Sequence, residues 1–148
     1  MKKKKNIFIK GPISAQFIGE SIQKHQIKTK IGAHEIFMGQ VRADIIKDKE
    51  IASIEYSAYE EMANNKATEI REMAFDRFNL SCMHIYHSLG NIKAGEICFF
   101  VFASSPHRKD AREAVSFLVE TIKNDLPIFG KELFIDNSHQ WKTNKHLE

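Results

Sequence analysis

Cysteine is scarce: the 148 residues hold only Cys82 and Cys98, and they form no CxxC pair. A disulfide framework and a cysteine-rich zinc site are thereby excluded. The two thiols are expected to be buried and reduced, which points to the cytoplasm. No apolar run is long enough to span a bilayer. The opening MKKKK resembles the charged start of a secretion signal, but only IFI follows before Lys10, far too short for its apolar segment. Repeats, low-complexity linkers and breaks in composition are missing too, so one domain over 1–148 is expected, with 1–5 a basic arm and 137–148 a basic tail. The net charge of +3 is too small to argue for nucleic acid by itself.

The usual catalytic signatures are also absent. There is no GxSxG, no HExxH, no phosphate-cradling glycine loop, and no cysteine beside an obvious histidine. His84 and His87 in HIYH lie three apart on a predicted strand, so they point to opposite faces and make a poor metal pair.

What is present is a regular alternation of patterns. NIFIKG predicts a short strand ending at Gly11-Pro12. SAQFIGESIQKH predicts a helix capped by Ser14, with Phe17, Ile18 and Ile22 on one face. KIGAHEIFMGQVR is strand-like, KDKE a turn, and IASIEYSAY a strand with Ile54, Tyr56 and Ala58 together. Ala63, Ala67, Ile70, Ala74 and Phe78 recur at helical spacing. Two strands follow, SCMHIYHSLG and EICFFVFAS, separated by NIKAG. Ala111, Val115, Leu118 and Ile122 mark another helix, stopped by Pro127, and KELFID a last strand. The order β-α-β-β-α-β-β-α-β predicts an α+β fold, a mixed or antiparallel sheet with packed helices.

The chemistry on offer is cationic. SSPHRKDA opens the last helix with Ser105 as expected N-cap and Pro106 at its first position. The first turn of a helix is already electropositive, yet His107, Arg108 and Lys109 sit there. Cations at that place make sense where an anion, most naturally a phosphate, binds the helix start. Further cations are Arg42 at a strand end, Lys123 in the last turn of the same helix, and Lys131 after Gly130. Lys24 and Lys142 read as solvated surface cations. A non-catalytic phosphate- or nucleotide-binding module could use the same groups. RNA binding through the tail is a weaker option, because the tail offers only Trp141 for stacking.

FMGQVR, SLGNIKAGEICFFVFASSPHRKDA and IKNDLPIFGKE, followed by a tryptophan and a basic tail, resemble the catalytic large subunit of molybdopterin synthases. The resemblance runs in one order from about Ile7 to Lys145. It implies an α/β-hammerhead-type fold and a homodimer within a heterotetramer, with a small ubiquitin-like sulfur carrier at each end. The implied reaction converts cyclic pyranopterin monophosphate to molybdopterin, taking sulfur from the carrier's thiocarboxylated C-terminal glycine. No metal or other cofactor is implied for this step; molybdenum enters later. By matching position, Lys123 is the leading catalytic lysine, and Arg42, His107, Arg108 and Lys145 bind substrate. The family commonly has a lysine where this chain has Gly130; either the glycine lets the backbone deliver Lys131 as the second catalytic lysine, which is the reading favoured here, or the enzyme works with one lysine fewer. Arg108 and Lys123 lie fifteen residues apart, about 22 Å along one helix, so a single site needs both from different subunits.

Overall fold

The structure, a computed structural model, describes residues 5–143. Eleven elements follow in order: β1 (Phe8–Lys10), α1 (Ala15–His25), β2 (Ala33–Gln40), β3 (Ile45–Ile46), β4 (Lys49–Ala58), α2 (Glu60–Arg77), β5 (Cys82–Lys93), β6 (Ile97–Ser105), α3 (Arg108–Asp125), β7 (Ile128–Phe134) and β8 (His139–Trp141). One sheet runs β2-β6-β5-β4-β7-β8, with β1 beside β5 and β3 beside β4. Only the β1–β5 pair is parallel among these. This is the α+β class expected.

The long strand β5 joins the two halves of the sheet. Cys82–His87 pair with β6, whereas Gly90–Lys93 pair with β4. The change of partner falls at Gly90, whose φ of +95° is open to glycine and strained for other residues. NIKAG is therefore not a simple turn: β5 continues through Lys93, and only Ala94 and Gly95 turn back.

Strand β6 is buried on both faces. Phe99, Val101 and Ala103 enter the main core with Ala114, Leu118 and Ile122 of α3 and Ala63, Ala67, Ile70 and Ala74 of α2. Phe100 and Phe102 face the other way, into a smaller cluster with Ile18. Small alanines let α2 come close to its neighbours, and burying so many apolar side chains supplies most of the stabilisation. Ser14 caps α1 as expected, its Oγ accepting the Phe17 N–H at 3.0 Å.

The start of α3 differs from expectation. β6 runs through Ser105, and the helix begins at Arg108 with His107 as N-cap. Pro106 sits in the bend between them. Ser105 still serves the helix, because its Oγ accepts the Ala111 N–H at 3.1 Å from further back. The bend is fixed from outside: Gly32 donates its N–H to the Ser105 carbonyl at 3.0 Å. A Cβ on Gly32 would lie 2.2 Å from the Pro106 carbonyl oxygen.

Candidate active site

A cleft of about 600 Å³ opens where the last turn of α3 meets the ends of β2, β4, β7 and β8. Lys123, Arg42, Lys142, Tyr56, Cys98 and Glu132 are among its walls. A narrower cavity of about 60 Å³ shares Lys123, Lys142, Tyr56 and Cys98 and reaches the imidazole of His87. The strand walls use period-two alternation: Tyr56, Gly130, Glu132 and Cys98 lie on the cleft side, and their neighbours face away.

Lys123 is placed by the helix end. Leu126 closes α3 by donating its N–H to the Ile122 carbonyl at 3.1 Å, ahead of Pro127. The Lys123 ammonium lies over the Phe99 ring, 5.7 Å from its centroid. Desolvation, then the charge of Lys142, lowers its pKa below the usual lysine value; Cys98 and Glu120 pull upward and Arg42 adds to the lowering. Arg42 stays anchored at the rim by Asp44 at 3.2 Å.

Behind the lysines lies a buried polar chain. The Tyr56 hydroxyl donates to Cys98 Sγ at 3.6 Å, and the thiol donates to the Gly39 carbonyl at 3.5 Å. Burial and the neighbouring Cys98 hold the Tyr56 phenol protonated. His87 Nδ1 donates to the Ser88 carbonyl at 2.8 Å, since a carbonyl can only accept. Burial drives the His87 pKa down to about 4, with Lys123 and Lys142 pushing the same way. Glu132 is buried and accepts from Gln140 Nε2 at 2.8 Å.

The structure brings Arg42 and Lys123 into the walls of one cleft. It does not bring Lys131 to them. In β7, Lys131 pairs with Glu55 and Trp141 on the face opposite Gly130, so the glycine does not redirect it into the cleft. Lys142, read as a solvated cation, lines the cleft instead. His107 and Arg108 sit at the far end of the continuous helix α3, about 22 Å from Lys123. Lys145 lies outside the described residues. Tyr56, His87, Cys98, Glu132 and Lys142 are wall residues that sequence reasoning missed as site residues. The alternation of β7 and β8 could have revealed Glu132 and Lys142, had three-residue β8 been visible in the sequence.

Donor atoms of His25, Cys82 and His84 lie within 4.8 Å of one another, on the other face of the sheet. The two Nε2 atoms already share a hydrogen bond at 2.8 Å. Desolvation first, then His25, Lys5, Arg71 and Lys28, push the His84 pKa down to about 4. Cations so placed also repel a metal ion, so the group reads as a hydrogen-bonded histidine pair.

The family model described as MoaE protein matches residues 10–125. The chain belongs to the MoaE family. The molybdopterin synthase catalytic subunit of Dictyostelium discoideum is 36% identical over 116 residues, covering 76% of this chain and 73% of that protein. The Drosophila melanogaster protein of the same name is 37% identical over 77% of this chain, which spans only 31% of the insect protein. Among solved structures, molybdopterin synthase from Staphylococcus aureus superposes with TM-score 0.82 at 28% identity, covering 97% of this chain and 100% of that one. The complex of subunits 1 and 2 of molybdopterin-converting factor from Helicobacter pylori gives TM-score 0.79 at 22% identity, over 93% and 90% of the two chains, and supports the MoaE fold alone.

Proposed function

We propose that this chain is the catalytic subunit of a molybdopterin synthase. It moves sulfur from the thiocarboxylated C-terminus of a small carrier subunit onto cyclic pyranopterin monophosphate. The observation that carries this reading is Lys123, held over Phe99 with a lowered pKa in a cleft that also presents Arg42 and Lys142. A lysine that gives up its proton readily can serve as acid and base in turn. The surrounding cations hold developing negative charge, and the cleft is large enough to fix both reactants in register. The buried Tyr56–Cys98–Gly39 chain keeps that wall rigid.

His107 and Arg108 complete the site from a second copy. Their distance from Lys123 along α3 leaves a two-fold dimer as the arrangement that puts the phosphate-binding helix start of one chain at the lysine cleft of its twin. Two carriers then load the two clefts, and two free buried thiols suit a cytoplasmic setting.

The test is a sulfur-transfer assay with purified thiocarboxylated carrier and pterin substrate. Lys123→Ala is expected to lose about a hundredfold or more in rate, with unchanged thermal unfolding. Near-normal turnover by this variant would remove the catalytic assignment, and binding without turnover by the wild type would leave a phosphate-binding module.

A further inference from the structure

Between the middle of α2 and the first half of β5 lies a second cavity, of about 340 Å³. It opens where one edge of β5 is bare. On one side β6 pairs with Cys82–His87, whereas on the other β1 begins to pair only at His87. Backbone groups of alternate residues point to the same strand edge. The His87 N–H donates to the Ile7 carbonyl at 2.8 Å, and the Met83 carbonyl accepts from Arg71 Nη1 at 2.6 Å. Ile85, midway between them, aims its N–H at the gap by the same alternation. Lys5, Arg71, Thr68 and Tyr86 give the cavity polar walls, and Ile7 and Ala67 apolar ones.

The charge in this cavity is of one sign. Among the described residues no carboxylate pairs with Lys5 or Arg71. Burial first, then Arg71 and, more weakly, Lys28, loosen the hold of Lys5 on its proton, and burial does the same to Arg71. Like charges held side by side repel, and an anion between them removes that cost. Arg71 is also held in place for one. Its guanidinium lies over the Phe75 ring, 5.3 Å from the centroid, and is tied to the Met83 carbonyl. Its hydrogen bonds to the described residues use Nη1, so other N–H groups of the fork are left for an oxyanion.

We propose that this cavity binds a small phosphomonoester, with its phosphate between Lys5 and Arg71 and its organic body against Ile7, Ala67 and Tyr86. Two cations and a guanidinium fork favour a dianion over a single carboxylate. The cavity holds far more than a phosphate group, so the apolar walls take part in the fit. The site is separate from the lysine cleft. His84 and Tyr86 lie on the face of β5 opposite His87, which looks into the cavity behind Lys123. Its occupancy does not depend on the sulfur-transfer reading.

The experiment titrates the full chain with phenyl phosphate, inorganic phosphate and benzoate, read by calorimetry and by NMR of the histidine rings. Phenyl phosphate is expected to bind about tenfold or more tighter than either of the others. Arg71→Met weakens it about tenfold or more. Lys5→Glu, at an exposed position that leaves the core intact, does the same by placing a negative charge at the phosphate, and Lys24→Ala binds as wild type. The His84 ring resonances move with saturation while those of His87 stay, which places the ligand here and not in the lysine cleft. Should Arg71→Met fail to fold, Lys5→Glu decides. Absence of saturable phenyl phosphate binding, affinity unchanged in Lys5→Glu, or shifts at His87 in place of His84 overturns the proposal. Equal affinity for inorganic phosphate removes the organic body from it, and equal affinity for benzoate removes the phosphate; either result overturns it as well. No arm reads sulfur transfer, so failure here leaves that reading as it stands.

Discussion

A lysine partly buried from solvent and beside a second lysine holds its proton less tightly than a solvated one. Lys123 was singled out by the resemblance alone, because a cation at a helix C-terminus is an ordinary complement to the dipole; the structure places it in the cleft wall. Lys142 was not, because a single lysine near a chain end looks like any solvated cation until a strand partner is known. Lys131 was misplaced for the complementary reason: moving one residue along a strand reverses the face. Two further side chains carry an acid-stability prediction. His84 and His87 both have pKa values pushed down to about 4 from 6.5. The folded state therefore binds fewer protons than the unfolded state between those values. The associated stability is fully present above pH 6.5 and is lost as pH falls through about 4, by at most about 3 kcal/mol for buried His87 and by less for half-buried His84, where solvent screens the effect. Denaturant titrations at pH 7 and pH 4.5 should show the drop, and His87→Leu should flatten it. An identical slope in that variant would show that His87 is not the group being titrated.

The three helices and most strands could be read from periodicity, since the alanines on α2 and the 111, 115, 118, 122 stripe on α3 are buried as expected. What escaped was short or context-dependent. Strand β3 has two residues and β8 has three, too few for any period to register. The true start of α3 was hidden because Ser105 is claimed first by the β6 ladder and caps the helix only from a distance. That junction hangs on Gly32, where an added methyl would sit 2.2 Å from the Pro106 carbonyl oxygen. Backbone must move to admit it. Gly32→Ala is expected to cost about 2–3 kcal/mol, read as a lower denaturation midpoint with an unchanged m value. Because the bend carries His107 and Arg108, the same variant should also bind pterin phosphate more weakly. Wild-type stability would mean the loop before α3 yields freely.

At the scale of the whole molecule, α3 acts as a rigid spacer. It is continuous from Arg108 to Asp125, so its two cationic ends cannot meet within one chain. The shared-site reading follows, and mixing tests it. Lys123→Ala and Arg108→Ala proteins, each inactive alone, are unfolded together and refolded as a random mixture. Half of the dimers are then mixed and each holds one intact site of two, so about a quarter of wild-type activity should return. No recovery in dimers shown to be mixed would mean that each site is built within one chain.

Strand β8 has an optical consequence. Trp141 is the sole tryptophan of the chain, and it lies on the face of β8 opposite Lys142, near Phe129 and Tyr59. Its emission therefore reports whether the last strand is seated, from a position outside the cleft. Peeling of that strand ahead of the main core would change tryptophan fluorescence before far-UV ellipticity changes. The strand that carries Lys142 thus brings its own indicator of whether the lysine is in place.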